Sequence, residues 1–227
     1  MSQALSDQFA IVVPVKDLNH AKTRLDPLLS RQERIKLAEI MLDGVLSVIA
    51  TFNQGFRLFM VSSYQPAMMR AREYGFEIIE EKEQTSERAS IDAASKELEQ
   101  MGFTGVLRIP LDLPLLNGDA LGEMIQPIKT GARVVIAPSR DGTGTNGLYR
   151  SPPTLFPSRF GENSLAQHLE LARSKTDAIE MIKSEAFGLD IDDADDLRAL
   201  LETGKDCPSS RFLKEIEIQG RILQKKP

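Results

Sequence analysis

The stretch F-A-I-V-V-P-V, Phe9 to Val15, decides the fold. It is a continuous apolar run rich in β-branched residues, with no alternation of polar and apolar positions. Such a run suits a central strand covered on both faces, which in turn calls for a parallel sheet with helices above and below it. The strand gives way to a loop at Lys16, and from Ser30 the period changes. Ser30 and Glu33 have the spacing of a capping box, and Ala38, Met41, Leu42, Val45 and Ile49 recur at helical intervals. That predicts a helix of about five turns.

Strand-like and helix-like segments then alternate. Strands are expected at Phe56–Val61, Phe76–Ile79, Gly105–Ile109 and Arg133–Ala137, and helices at Gln65–Glu73, Ile91–Met101 and Gly118–Ile128. Repeated βα units imply an α/β domain with a mostly parallel central sheet and helices on both faces. Beyond residue 140 the pattern is less regular. Glycines and prolines cluster between Gly142 and Gly161, followed by an expected helix Ser164–Ser174, a strand Gly188–Ile191 and a helix Asp193–Glu202. The reading is one domain over residues 1–204 and an unassigned charged tail over 205–227.

Composition narrows the function. The chain has 227 residues, a formal net charge of −5, two histidines and one cysteine. Cys207 alone excludes an internal disulfide or a thiolate metal cluster, and His20 with His168 cannot build a multi-imidazole zinc site. The acidic balance argues against broad nucleic-acid binding. No apolar run reaches the length of a membrane span and the N-terminus lacks a signal-peptide layout, so the expected location is the cytoplasm, without a membrane partner.

Ligands of open α/β sheets bind beyond the carboxyl ends of the strands, and three loops there carry unusual residues. K-D-L-N-H-A-K-T-R-L, Lys16 to Leu25, places Lys16, Lys22 and Arg24 directly after the first strand. Three cations there suit a polyphosphate, although a solvated basic loop would look the same. His20 reads as a loop residue. Neither G-x-x-x-x-G-K-[ST] nor G-x-G-x-x-G follows the strand, which removes the two commonest phosphate-binding loops. In R-I-P-L-D-L-P-L-L, Arg108 to Leu116, Asp112 stands alone among apolar residues and needs a cation, a donor or a metal, unless it merely caps a proline turn. Asp190 and Asp192 flank Ile191 and point to one side of an extended chain, so they repel unless a cation lies between them; capping of the next helix is the plainer alternative.

Taken in order, P-V-K at Pro14–Lys16, A-K-T-R-L at Ala21–Leu25, L-D-L-P at Leu111–Pro114, G-T-G-T-N at Gly142–Asn146, R-F-G-E-N-S at Arg159–Ser164 and D-I-D at Asp190–Asp192 resemble the phospholactate guanylyltransferases. The resemblance runs from about residue 9 to residue 201 and implies a Rossmann-like nucleotidyltransferase fold, GT-A-like. It also implies transfer of GMP from GTP to a small phosphorylated carboxylic acid in coenzyme F(420) biosynthesis. 2-Phospho-L-lactate or phosphoenolpyruvate is favoured as acceptor over 3-phospho-D-glycerate. Carried across residue by residue, it implies that Asp112, Asp190 and Asp192 bind magnesium (Mg2+). It likewise implies that Thr145, Gly161 and Ser164 hold the acid, and that Lys16, Lys22 and Arg24 serve the triphosphate. Two positions depart from the family pattern: Ile91-Asp92 where Leu-Asn is frequent, and Leu111 where glycine is usual.

The chemistry agrees. Attack of a phosphate oxygen on the α-phosphorus needs positioning and charge neutralisation more than a base, since the acceptor phosphate is already ionised. The G-T-G-T segment also has the composition of a hairpin turn, and both roles are compatible. A sugar-phosphate or isoprenoid nucleotidyltransferase would keep the sheet and the carboxylates but take another acceptor, and a non-catalytic nucleotide sensor would be expected to lose one carboxylate. A homodimer is the default expectation for such an enzyme, and hand-off of product to the next enzyme of the pathway is compatible with the reading.

Overall fold

The computed structural model describes residues 9–52, 54–81 and 86–224. Seven strands form one sheet in the order β3-β2-β1-β4-β6-β5-β7. They are β1 Phe9–Pro14, β2 Arg57–Ser62, β3 Glu77–Glu80, β4 Gly105–Arg108, β5 Val134–Pro138, β6 Thr145–Arg150 and β7 Ile179–Met181. All neighbours run parallel except β6, which is antiparallel to both β4 and β5. The helices are α1 Arg31–Thr51, α2 Gln65–Glu73, α3 Glu87–Gln100, α4 Gly118–Lys129, α5 Ser164–Arg173, α6 Glu185–Gly188, α7 Ala194–Glu202, α8 Pro208–Glu215 and α9 Ile218–Gln224.

β1 is buried along its whole length and divides its side chains between two cores. Phe9, Ile11 and Val13 join the larger core beneath α1, α2 and α4, while Ala10 and Val12 join a smaller one with Ile91, Ala94 and Leu98 of α3. The absence of polar alternation in the sequence thus reflects helices on both faces. α1 begins with the expected capping box, in which Ser30 Oγ accepts from the Glu33 amide and the Glu33 carboxylate accepts from the Ser30 amide. Caps of this kind contribute about 1 kcal/mol.

Three features differ from the sequence reading. The glycine-rich region contains β6, because the G-T-G-T segment closes a β5–β6 hairpin in which Asp141 accepts from the Thr143 amide and hydroxyl and Ser139 Oγ accepts from the Gly144 amide. Residues 188–191 are not a strand. α6 ends at Gly188, and the extended chain after it is tied by the Ile191 amide to the Asp112 carbonyl at 3.2 Å, with Leu189 and Ile191 buried and the aspartates between them part-exposed. The alternation that resembles a strand is therefore real, but no strand pairs with it among the described residues, and the edge position belongs to β7. Finally, the unassigned tail forms α8 and α9, whose Leu213, Ile218 and Ile222 enter the larger core. Arg221 pins them to α1 through two hydrogen bonds to the Glu33 carboxylate, at 2.9 and 2.8 Å. Among the described residues no helix is long and apolar enough to cross a membrane.

Candidate active site

The strand order reverses direction at β1, with β2 and β3 on one side and β4 on the other. A crevice opens beyond the carboxyl ends of strands at such a switch point. The loops after β1 and β4 both rise from it. The first makes two short 3-10 turns, Leu18–His20 and Thr23–Leu25, joined by Lys22 in the left-handed conformation at φ 54°. A non-glycine residue there costs about 1–2 kcal/mol, and what it gains is direction. Lys22 Nζ reaches Asp112 Oδ2 at 2.6 Å and Asp192 Oδ1 at 3.0 Å. The isolated aspartate of the β4 loop thus finds its cation 90 residues back along the chain.

Electrostatics bind the cluster. Burial alone would favour neutral Lys22, but Asp112 and then Asp192 outweigh it and raise the pKa. Burial would likewise keep Asp112 protonated, and Lys22 reverses that too. Among the described residues Asp190 has no such cation: burial, then the nearby Asp112, push its carboxyl up to about 6, while Asn146 Nδ2 donates to Oδ1 at 2.9 Å. Among the described residues no three acidic, histidine or cysteine side chains are gathered in the arrangement of a closed metal site. The Lys22 ammonium stands between two of the three carboxylates instead.

Two clefts meet at this cluster. The first, about 410 Å³, lies against β1 and is lined by Lys16, His20, Lys22, Glu87 and Ser90. The second, about 580 Å³, lies over the β5–β6 hairpin and the start of α5, and is lined by Thr145, Gly161, Ser164 and Asp190. Asp112, Asp192, Arg108 and Glu87 belong to both walls. Lys16 and Lys22 fall on the first cleft, while Arg24, from the same loop, falls on the second.

The second cleft has a built wall. Gly161 has φ +113°, and a Cβ there would lie 2.9 Å from Arg88 Nη2; Arg88 Nε in turn donates to the Phe160 carbonyl. Only glycine satisfies both the conformation and the approach of the guanidinium. Ser164 is the first residue of α5 and is buried, and four residues on, hence on the same helix face, His168 is fully buried.

Arg108, Asp92 and Leu111 take places that their spacing in the chain does not reveal. Arg108 ends β4 with its guanidinium bonded to Glu87, stacked 4.2 Å from the Phe160 ring centroid, and with a buried Nε that has no hydrogen-bond partner among the described residues. It satisfies the criterion that singled out Asp112, a charge among apolar neighbours. Asp92, one of the two family departures, is spent on the fold: it accepts from Ser158 and Arg150. Leu111, the other, lines the first cleft.

Known proteins agree with this architecture. The chain is 32% identical over 84% of its length to the phosphoenolpyruvate guanylyltransferase of Conexibacter woesei, of which 86% is covered. It is 30% identical to the 3-phospho-D-glycerate guanylyltransferase of Colwellia psychrerythraea, over 84% of this chain and 90% of that one. It is 29% identical to the 2-phospho-L-lactate guanylyltransferase of Methanothermobacter thermautotrophicus, over 91% and 90%. Among solved structures, a protein assigned to the nucleotide-diphospho-sugar transferases from Desulfovibrio desulfuricans superposes with a TM-score of 0.76 at 15% identity, covering 96% of this chain and 98% of that one, a likeness of fold alone. The family model described as "Guanylyl transferase CofC like" matches residues 9–225, nearly the whole chain including the two C-terminal helices. With that span matched and relatives of one activity aligned along it, the chain belongs to the CofC-like guanylyl transferases and is a nucleotidyltransferase.

Proposed function

We propose that the protein transfers GMP from GTP to the phosphate of a small phosphorylated carboxylic acid and releases pyrophosphate, as a step of coenzyme F(420) biosynthesis. The observation that carries this reading is the meeting of two clefts at one charged junction, Asp112–Lys22–Asp192. A transferase of this kind must bring two polyanions together, and two chambers sharing one wall let them meet there; the carboxylates of that wall would take a divalent cation between the two anions. GTP occupies the β1 cleft with its phosphates towards Lys16 and Lys22, and the acid occupies the hairpin cleft against Thr145, Gly161 and Ser164. The acid is 2-phospho-L-lactate, phosphoenolpyruvate or 3-phospho-D-glycerate, each of the three being the substrate named for one of the relatives.

In the reaction an acceptor phosphate oxygen attacks the α-phosphorus, a new P–O bond forms, and the bond to the bridging oxygen breaks with its electron pair leaving on pyrophosphate. The acceptor phosphate, with a second pKa of about 6, needs no strong base near neutral pH. Catalysis then rests on alignment and on cations at the departing charge, which Lys22 and Lys16 supply. The donor set also fits magnesium in its chemistry: Asp112, Asp190 and Asp192 are hard oxygen ligands, and among the described residues Asp190 is met by the Asn146 amide and by no cation. When bound, the metal would offset charge on the triphosphate.

The deciding experiment supplies limiting GTP with magnesium and all three acids in competition, follows pyrophosphate and identifies the guanylylated products by mass spectrometry. Pyrophosphate release that depends on one acid, with the matching product mass, is the expected result. Release with none of them, or with a sugar phosphate instead, overturns the proposal.

A further inference from the structure

His168 takes no part in the chemistry proposed above, yet it is fully buried on α5 directly behind the hairpin cleft. Both of its ring nitrogens are engaged. Nε2 accepts the backbone amide of Arg159 at 2.8 Å, and Nδ1 lies 3.0 Å from Thr145 Oγ1. A backbone amide can only donate, so Nε2 must carry the lone pair, and in a neutral ring the proton is then on Nδ1. Nδ1–H therefore donates to Thr145 Oγ1. Among the described residues that hydroxyl donates to no protein acceptor, and Thr145 lines the cleft.

We infer that His168 is a positioning residue that sets the direction of the Thr145 hydroxyl, so that its proton faces the cleft as a donor to an anionic oxygen of the acceptor. The inference rests on the acceptor-side assignment made above. Phosphate and carboxylate oxygens of an ionised acid only accept. With the opposite tautomer, Nδ1 would take the Thr145 proton, and the hydroxyl would present its lone pairs to an anion. One proton on one ring nitrogen thus decides whether Thr145 attracts or repels the substrate.

The surroundings hold the ring in this state. Burial, followed by the charges of Arg150, Arg108, Arg88 and Arg159, lowers the His168 pKa to about 3, so the imidazole is neutral at any working pH. An imidazolium would also direct a proton at the Arg159 amide. Phe160 packs on the ring at 5.1 Å between centroids and Phe156 at 6.3 Å, which fixes its plane. The arrangement links R-F-G-E-N-S to G-T-G-T-N: the first supplies the amide that fixes the tautomer, and the second supplies the hydroxyl that reads it.

Two variants separate this role from simple anchoring of the Arg159 loop. His168→Asn places an amide NH2 near the Nδ1 position and keeps a donor for Thr145, but loses the acceptor for Arg159. His168→Gln reaches towards the Nε2 position and offers Arg159 an acceptor, but loses the donor. The expected result is that His168→Gln raises the acceptor KM by about 3- to 15-fold, a net hydrogen bond's worth, with the GTP KM within twofold of wild type, and that His168→Asn recovers most of the loss. The reverse order, with His168→Asn the more damaged in acceptor KM, overturns the inference in favour of loop anchoring. A direct measurement covers the case in which either variant fails to fold: nitrogen-15 NMR of the wild-type imidazoles, with only two histidines to assign. His168 should show the Nδ1–H tautomer from pH 5 to pH 8, both values being about the ordinary titration range of histidine; the Nε2–H tautomer or a protonated ring overturns it. Should the wild type transfer GMP to none of the three acids, the functional proposal falls, and the tautomer still decides this inference separately.

Discussion

Replacing Lys22 by methionine removes one charge while keeping most of the apolar stem, and the structure sets the size of the effect. The Lys22 side chain is 7% exposed, and its ammonium contacts the side chains of Asp112, 20% exposed, and Asp192, 50% exposed. Removing one partner of a fully buried pair costs about 3–5 kcal/mol because the other charge is left uncompensated. Asp192 reaches water and recovers part of its hydration, and the left-handed strain at Lys22 is not relieved by methionine, so about 2–3 kcal/mol is the reasoned loss for Lys22→Met. For a chain of this size each kcal/mol moves the Tm by about 2–4 °C, which predicts a fall of about 4–12 °C without divalent metal. Magnesium added without nucleotide should return part of that loss in Lys22→Met and do much less for the wild type, where the ammonium already serves Asp112 and Asp192. Thermal unfolding followed by circular dichroism, with and without magnesium, reads both effects, and turnover should drop in the same variant at saturating magnesium. A Tm within about 1 °C of wild type would refute the account of Lys22 as the principal counter-ion, and equal stabilisation of both proteins by magnesium would refute competition between Lys22 and the metal for the same carboxylates.

Asp112→Asn and Asp192→Asn should fold yet lose most turnover, because an amide is a poorer magnesium ligand; near-normal rates in both at saturating magnesium would exclude the metal assignment. Ser164→Ala should raise the acceptor KM about 5- to 150-fold with little change for GTP, whereas an effect confined to GTP would transfer the α5 start to the nucleotide. Arg24→Ala tests its position on the second cleft: an effect mainly on the acceptor KM agrees with that location, and one mainly on kcat returns it to the leaving group. Gly161→Ala forces a Cβ to within 2.9 Å of Arg88 Nη2 at φ +113° and should cost about 1–3 kcal/mol of stability together with acceptor affinity, read by unfolding and by KM. Arg221→Ala probes the C-terminal helices through pH. Hydrogen bonds from Arg221 first, and then from Ser30, lower the Glu33 pKa from 4.5 to about 2, so the stability that Arg221 contributes is fully present above pH 4.5 and is lost as pH falls towards 2. The Tm difference between Arg221→Ala and wild type should therefore be largest near neutral pH and narrow in that window, and a difference independent of pH would show that packing alone holds the helices.

Whatever depends on neighbouring residues was legible in the chain before it folded. The unbroken, β-branched apolar run of β1 suits a strand covered on both faces, the Ser30–Glu33 spacing specifies the start of α1, and an aspartate among the leucines and prolines of residues 111–116 demands a partner. The alternation of Leu189 and Ile191 with Asp190 and Asp192 is equally local, and it correctly separates buried from part-exposed positions even though no ladder forms there. Tertiary structure decided whatever depends on a partner distant in the chain. β7 has only three residues, two of them exposed, and so carries no periodic signal; it is a strand because β5 offers an edge. β6 carries glycine and polar residues beside a turn and becomes a strand between β4 and β5, where the hairpin brings it back antiparallel. The partner of Asp112, the side of the junction on which Arg24 falls, and the meeting of His168 with Thr145 all join segments that no periodicity relates. Spacing along a chain encodes which face a side chain takes within its own element, whereas a buried charge or an imidazole proton is satisfied by whichever group the packing brings within 3 Å, and that is known only once the elements are assembled.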